Sequence, residues 1–238
     1  MISRLLDFIW PRECEVCHRP VDRPGRYVCS ECLMRLPFIP TEGCCRKCGR
    51  DVPELDREFR CQNCRESRPS FDRAASALRF AVDAREMLVA FKSKNHLWLR
   101  NDFADWLEAT ARARFLVEEI DLVVAMPSTW KRRYDRGYNQ CDYLAAPLAK
   151  RLGVAFVKRA IKRTGNPKRQ STLSEEERKE NVKGTFLVRK PAAVAGKTVM
   201  VVDDVMTTGA TLSECAKALK VAGAKRVWCI SLLRSLGN

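Results

Sequence analysis

Two groups of residues in this 238-residue chain have types and spacings that could do chemistry. The first is Val199 to Thr211, VMVVDDVMTTGAT, in which an apolar run meets Asp203 and Asp204 and then a short loop, Thr207, Thr208, Gly209, Ala210 and Thr211. Where a strand passes into a helix through such a loop, the first backbone N–H groups of the helix are unsatisfied and converge on one spot, a ready seat for a phosphate. Threonine hydroxyls add donors, and a glycine lets the backbone approach closely. Two adjacent carboxylates suit a vicinal diol, whose two hydroxyls they can accept. A 5'-phosphoribosyl group carries both features at that separation. A Walker loop is excluded because the chain has no G-x4-G-K-[ST]. An acidic magnesium pocket explains the carboxylates but leaves the threonines without a role.

The second group is cysteine. Nine of the twelve cysteines lie before residue 65, and eight of these form four C-x2-C pairs: Cys14 and Cys17, Cys29 and Cys32, Cys45 and Cys48, Cys61 and Cys64. That spacing lets two thiolates from one turn reach one ion, and two turns complete the four-sulfur shell that zinc prefers. Two structural zinc ions follow, held by 14/17/29/32 and 45/48/61/64, with a cross-braced pairing of first and third knuckles as the alternative. Disulfides and an iron–sulfur cluster are the other chemistries open to such cysteines. Cys44 breaks the spacing and is left out of the ligand set, as is His18. Zinc supplies folding free energy to a segment with little apolar content.

The elements that position these residues come from periodicity. Phe71 to Phe80 reads as a strand. A helix capped by Asp83 follows, with Met87, Leu88 and Phe91 on one face, and then a helix capped by Asn101 with Phe103, Leu107 and Ala111 aligned. Asp121 to Met126, Gly184 to Arg189, Thr198 to Val202 and Val227 to Leu233 read as strands. Asn139 to Leu152, kinked at Pro147, and Thr211 to Ala222 read as helices. Such alternation predicts an α/β fold, a parallel sheet flanked by helices, preceded by a small four-cysteine zinc-ribbon domain: residues 1–68 and 69–238.

Charge is uneven. Residues 131–190 hold seventeen Lys/Arg against six Asp/Glu, or +11 of the total +15, the footprint of an anionic ligand. No apolar run approaches the ~20 residues of a membrane-spanning helix, and Met1 to Trp10 has no cleavage site of the secretory kind. The cytoplasm is therefore the expected compartment. Met1 to Trp10 is amphipathic and could rest peripherally on the inner membrane, although packing on the zinc head is the expected use. Cys141, Cys215 and Cys229 are expected as core thiols.

DDVMTTGAT matches the phosphoribosyltransferase signature for 5-phosphoribosyl-1-pyrophosphate (PRPP). Together with RGYNQ, the Gln170 to Leu173 run QSTL, ERKENVKGTF and the cysteine-rich head, it resembles the ComF family of competence-associated proteins over essentially the whole chain. That resemblance implies a type I phosphoribosyltransferase-like fold binding PRPP with Mg2+. Asp203 and Asp204 would take the ribose diol, and Thr207, Thr208, Gly209, Ala210 and Thr211 the 5'-phosphate. Met126, Pro127 and Ser128 would form the pyrophosphate loop, and Arg133, Arg136 and Gln140 would line the loop beside it. The family more often has Pro-Val-Pro where this chain has Ala125-Met126-Pro127. Residues 81–115 could supply a hood over the acceptor, with Lys92 and Lys94 near it, and no general base is assigned. The resemblance also implies DNA uptake and natural transformation as the setting, with a competence helicase or recombination mediator as partner. Two alternatives stay open: a non-catalytic single-stranded-DNA-binding protein on the same fold, and a nucleotide-salvage transferase.

Overall fold

A computed structural model describes residues 12–128, 137–164 and 184–235. Its centre is a five-stranded, all-parallel sheet in the order β1-β7-β6-β2-β3, made of β1 (Arg73–Arg79), β2 (Leu122–Ala125), β3 (Ala155–Phe156), β6 (Thr198–Met206) and β7 (Arg226–Arg234). β4 (Ile161–Arg163) and β5 (Phe186–Val188) form a separate antiparallel pair. The central strands are nearly continuous apolar runs because both faces of a parallel sheet are covered.

Alternation along the strands divides the core in two. Val123, Met200, Val202, Trp228 and Ile230 face α3 (Val82–Ser93), α4 (Arg100–Arg114) and α5 (Gln140–Leu152), meeting Phe91, Phe103, Leu107, Leu144 and Leu148. Val124, Val199, Val201, Val227 and Cys229 face Leu212, Cys215 and Leu219 of α7 (Ala210–Val221). Each fully buried leucine or phenylalanine contributes about 1.5–3 kcal/mol. The short helix α6 (Pro191–Val194) leads into β6.

The expected elements are present, with differences at their ends. Ala81 and Leu99 occupy the cap positions of α3 and α4, so Asp83 and Asn101 sit in the first turns instead. There a carboxylate still favours the helix through the dipole, without a capping bond. α5 runs in one helical stretch across Pro147. β6 continues four residues beyond Val202, carrying Asp203 and Asp204 within the strand, where pairing with β7 holds them.

The cysteine-rich segment has two short helices, α1 (Ser30–Arg35) and α2 (Gln62–Ser67). Its halves repeat one construction. Cys14–Cys17 and Cys45–Cys48 are turns closed by the bonds His18 N–H to Cys14 O and Gly49 N–H to Cys45 O, each 2.8 Å. His18 and Gly49, one place past the second cysteine, both have positive φ, 58° and 68°, which the tight wrap requires. Cys29 and Cys61 occupy the N-cap positions of α1 and α2, bringing Cys32 and Cys64 round to the same point. The halves lie on opposite faces of the sheet, the first in the core with α3 and α4, the second in the core with α7. The second half joins the sheet by backbone, Ala74 N–H donating to Lys47 O at 2.8 Å. A Cβ on Gly49 would lie 2.8 Å from the Ala74 carbonyl oxygen, so no side chain fits there.

Candidate functional site

The site forms at the C-terminal ends of β2 and β6, where α5 and α7 begin, the place where open parallel sheets bind ligands. Asp203 and Asp204 are adjacent on β6, so their side chains leave on opposite faces, yet their oxygens and Cys141 Sγ lie within 4.8 Å of one another. Asp204 Oδ2 accepts from Gln140 Nε2 at 2.8 Å and pairs with Lys92 Nζ at 2.8 Å. Asp203 Oδ1 accepts from the backbone N–H of Asp204 at 2.8 Å and from Cys141 Sγ at 3.6 Å. Burial first, and then the neighbouring Asp204 carboxylate, push the Asp203 carboxyl up to about 7.

Next to the carboxylates the chain turns through Thr207 to Gly209 into α7. Gly209 is the N-cap residue at φ 86°, a left-handed conformation costly for any L side chain. Thr207, Gly209, Ala210 and Thr211 line a cavity of about 220 Å³ together with Lys92, Met126, Pro127, Ser128, Asn139, Gln140, Cys141, Asp203 and Asp204. Thr208 does not line it. Its hydroxyl accepts from Ala210 N–H at 3.3 Å, and its carbonyl accepts from Asn63 Nδ2 of the second cysteine half at 3.2 Å. On the opposite wall, Asn139 Nδ2 donates to Met126 O at 3.1 Å and fixes the Met126–Ser128 turn. Ser128 Oγ and Asn139 Oδ1 are buried there with no hydrogen-bond partner among the described residues, polar atoms whose hydrogen bonds a ligand could complete.

Thus β6, β2, α5 and α7 bring Asp203, Asp204, Thr207, Gly209 to Thr211, Met126 to Ser128 and Gln140 to one cavity. Gln140 stands at the Asp204 end, while Asn139 beside it holds the Met126–Ser128 turn. Arg133, Arg136 and the QSTL run lie outside the described residues, as does Met1 to Trp10. Sequence reasoning missed Asn139; Cys141 is a core thiol as expected, 3% exposed, and it also faces Asp203. Both flank Gln140 at the start of α5, and that helix start was the available signal. Lys92 was considered only as a hood residue. No local pattern marks it, since its pairing with Asp204 joins positions 112 apart.

The cysteines form the tandem sets. Sulfur atoms of Cys14, Cys17, Cys29 and Cys32 lie within 4.8 Å of one another, as do those of Cys45, Cys48, Cys61 and Cys64, which excludes the cross-braced pairing. All twelve cysteines are unbridged, and Cys44 bonds to Pro40 O instead. Two observations fit zinc at these sets. Backbone N–H groups point at sulfurs, Cys29 N to Cys14 Sγ at 3.4 Å and Cys61 N to Cys45 Sγ at 3.3 Å, as thiolate acceptors require. Arg234, 1% exposed, has no carboxylate partner among the described residues but reaches Cys48 O at 2.9 Å and Cys48 Sγ at 3.4 Å. A buried guanidinium needs an anion, and four thiolates around one Zn2+ carry about two net negative charges.

Comparison with known proteins agrees with this architecture. Residues 139–236 match the phosphoribosyl transferase domain and residues 5–65 the double zinc ribbon domain. The DNA utilization protein YhgH of Salmonella typhi is 38% identical over 136 residues, covering 51% of this chain and 59% of that protein. Competence protein F of Haemophilus influenzae is 29% identical over 153 residues, covering 63% and 67%. Competence protein ComFC of Streptococcus pneumoniae is 29% identical over 135 residues, covering 55% and 58%. The chain therefore spans between about half and two thirds of the length of these relatives.

Proposed function

We propose that this chain is a ComF-type protein, with its match to the phosphoribosyl transferase domain lying behind its match to the double zinc ribbon domain, and that it binds PRPP with Mg2+ in the cavity between β6, α7 and the start of α5. In this reading residues 1–68 are the zinc-ribbon part and 69–238 the phosphoribosyl part. The observation that carries it is the pairing of two opposed features in one small cavity. Two carboxylates lie at one end, Asp204 held by Gln140 and Lys92 and Asp203 by the Asp204 N–H and Cys141, and an open threonine loop at a helix N-terminus lies at the other.

Asp203 and Asp204 accept hydrogen bonds from the ribose 2'- and 3'-hydroxyls, and the loop N–H groups and the Thr207 and Thr211 hydroxyls hold the 5'-phosphate. The Ser128 hydroxyl, which can donate, is the side chain of the Met126–Ser128 turn available to the departing pyrophosphate. Mg2+ supplies neutralisation of pyrophosphate charge when it is bound with the substrate. Displacement at the anomeric carbon needs alignment and charge stabilisation more than a strong base. The histidines of the chain, His18 and His96, stand outside the cavity. The setting we propose is DNA uptake or utilisation, following the names of its relatives. No helix among the described residues is long and apolar enough to cross a membrane.

The test is calorimetric titration of PRPP with Mg2+ into zinc-loaded protein, beside Asp203→Asn/Asp204→Asn. Saturable binding abolished by the double substitution is expected; binding unaffected by it would overturn the reading.

A groove beside α5 favours a second reading, contact with single-stranded DNA. Tyr138, Tyr143 and Phe156 line it with Lys150, Lys158 and Arg159, aromatic platforms among cations that suit an unpaired strand. DNA affinity that falls steeply with salt and survives Asp203→Asn would support it.

A further inference from the structure

The second cysteine set and the phosphate loop meet at two side chains. Arg234 ends β7 and is wholly enclosed. Its Nη1 bonds both Cys48 O and Met206 Sδ, each at 2.9 Å, and its Nη2 bonds Cys48 Sγ at 3.4 Å. Met206 is the last residue of β6, directly before Thr207, and its methyl lies against Gly209. On the other flank Asn63, between ligands Cys61 and Cys64, donates to the carbonyl of Thr208 at 3.2 Å. Phe71, fully buried, packs against the Gly209 position and shares the core of Cys45, Cys48, Cys61 and Cys64. Among the described residues the first cysteine set has no such link. Its neighbours are Phe91, Phe103, Trp106 and Leu107, and its polar ties run to Asp102 and Asp105 of α4.

We propose that zinc in the second set controls the phosphoribosyl site: with the metal bound, Arg234 and Asn63 hold Met206 to Gly209 in the phosphate-binding turn, and without it the turn is released. The physical reason is geometric. Zinc fixes Cys48, Cys61 and Cys64 around one point, and with them Cys48 O against Arg234 Nη1 and Asn63 Nδ2 against the Thr208 carbonyl. Without the metal the two cysteine turns lose that common anchor, and the contacts that hold Met206 and Thr208 loosen with them. Phosphoribosyl binding thus becomes conditional on the second zinc and indifferent to the first. The inference rests on the PRPP reading for its ligand, but the state of the turn is measured separately.

The experiment uses the full chain, with three measurements on each variant: zinc per chain, amide exchange of peptides spanning 205–213, and affinity for PRPP with Mg2+. Cys61→Ser/Cys64→Ser is expected to hold one zinc, to exchange about tenfold faster over 205–213 and to bind PRPP at least tenfold more weakly. Cys14→Ser/Cys17→Ser, also with one zinc, is expected to keep wild-type exchange over 205–213. Asn63→Ala keeps both zinc ions and all eight sulfurs, and is expected to show faster exchange over 205–213 while α4 exchanges as in wild type. If the second-set variant does not fold, Asn63→Ala decides. Unchanged exchange over 205–213 in a folded second-set variant or in Asn63→Ala, or equal acceleration in both cysteine variants, overturns the proposal. Failure of wild-type protein to bind PRPP would sink the ligand assignment alone, leaving the exchange comparison to judge the coupling.

Discussion

Gly209→Ala is the sharpest probe of the phosphate loop, because its cost can be worked from two independent terms. At φ 86° an L residue occupies the left-handed region, at about 1–2 kcal/mol. The added Cβ would also stand 2.6 Å from the Met206 methyl and 3.4 Å from Phe71 Cε1. A methionine tip would ordinarily swing aside at little cost, but this one is anchored through its sulfur to the buried Arg234 guanidinium. Moving it adds about 1 kcal/mol, the worth of that hydrogen bond. The sum is a loss of about 2–3 kcal/mol, or roughly 4–12 °C in melting temperature at about 2–4 °C per kcal/mol for a chain of this size. Urea denaturation of zinc-loaded protein, followed by tryptophan fluorescence, measures it. PRPP affinity should fall at least about tenfold, since a shifted turn misaims the N–H groups that hold the phosphate. A variant within about 0.5 kcal/mol of wild type and with unchanged affinity would refute both the strain and the anchoring of Met206.

Asp203 gives a pH signature. Its folded value of about 7 lies above the ordinary carboxyl value of 3.8, so folding takes up a proton between them and stability falls as pH rises from about 4 to 7. Asp203→Asn, which removes the buried charge, should therefore be more stable than wild type at pH 8 by at least about 1 kcal/mol, with the advantage gone near pH 4; chemical denaturation at the two pH values checks this. Wild-type PRPP affinity should strengthen as pH rises through about 7, because the ionised carboxylate is the better diol acceptor. Lys92→Met removes the cation beside Asp204 and should move that rise to higher pH, with Lys92→Arg restoring it in part; titration calorimetry across pH 6–9 reads the displacement.

How much of this was legible beforehand depended on how local each signal was. The four C-x2-C pairs fixed the ligands because a knuckle is a turn of a few residues, and the spacing alone excluded Cys44. DDVMTTGAT marked the carboxylates and the turn that line the cavity for the same reason, strand, turn and helix being contiguous. Periodicity located β1, β2, β6, β7 and the long helices, but misplaced the caps of α3 and α4, since Asp83 and Asn101 are good capping residues two positions late. Thr208 is the one residue of the turn that does not line the cavity: its hydroxyl accepts from the nearby Ala210 N–H and its carbonyl from the distant Asn63, while Thr207 and Thr211 line it.

What the amino-acid order determined was therefore the local make-up of each short segment: two sulfur sets, an adjacent pair of carboxylates, a threonine-glycine turn before a helix and the strands and helices carrying them. The tertiary structure decided which segments act together. It laid the two cysteine halves on opposite faces of one sheet, brought Lys92 and Gln140 onto Asp204 and buried Arg234 between Cys48 and Met206. These pairings join residues 28 to 186 positions apart. Contacts at such separation arise from shared burial in one core, and no spacing rule within a strand, turn or helix encodes them.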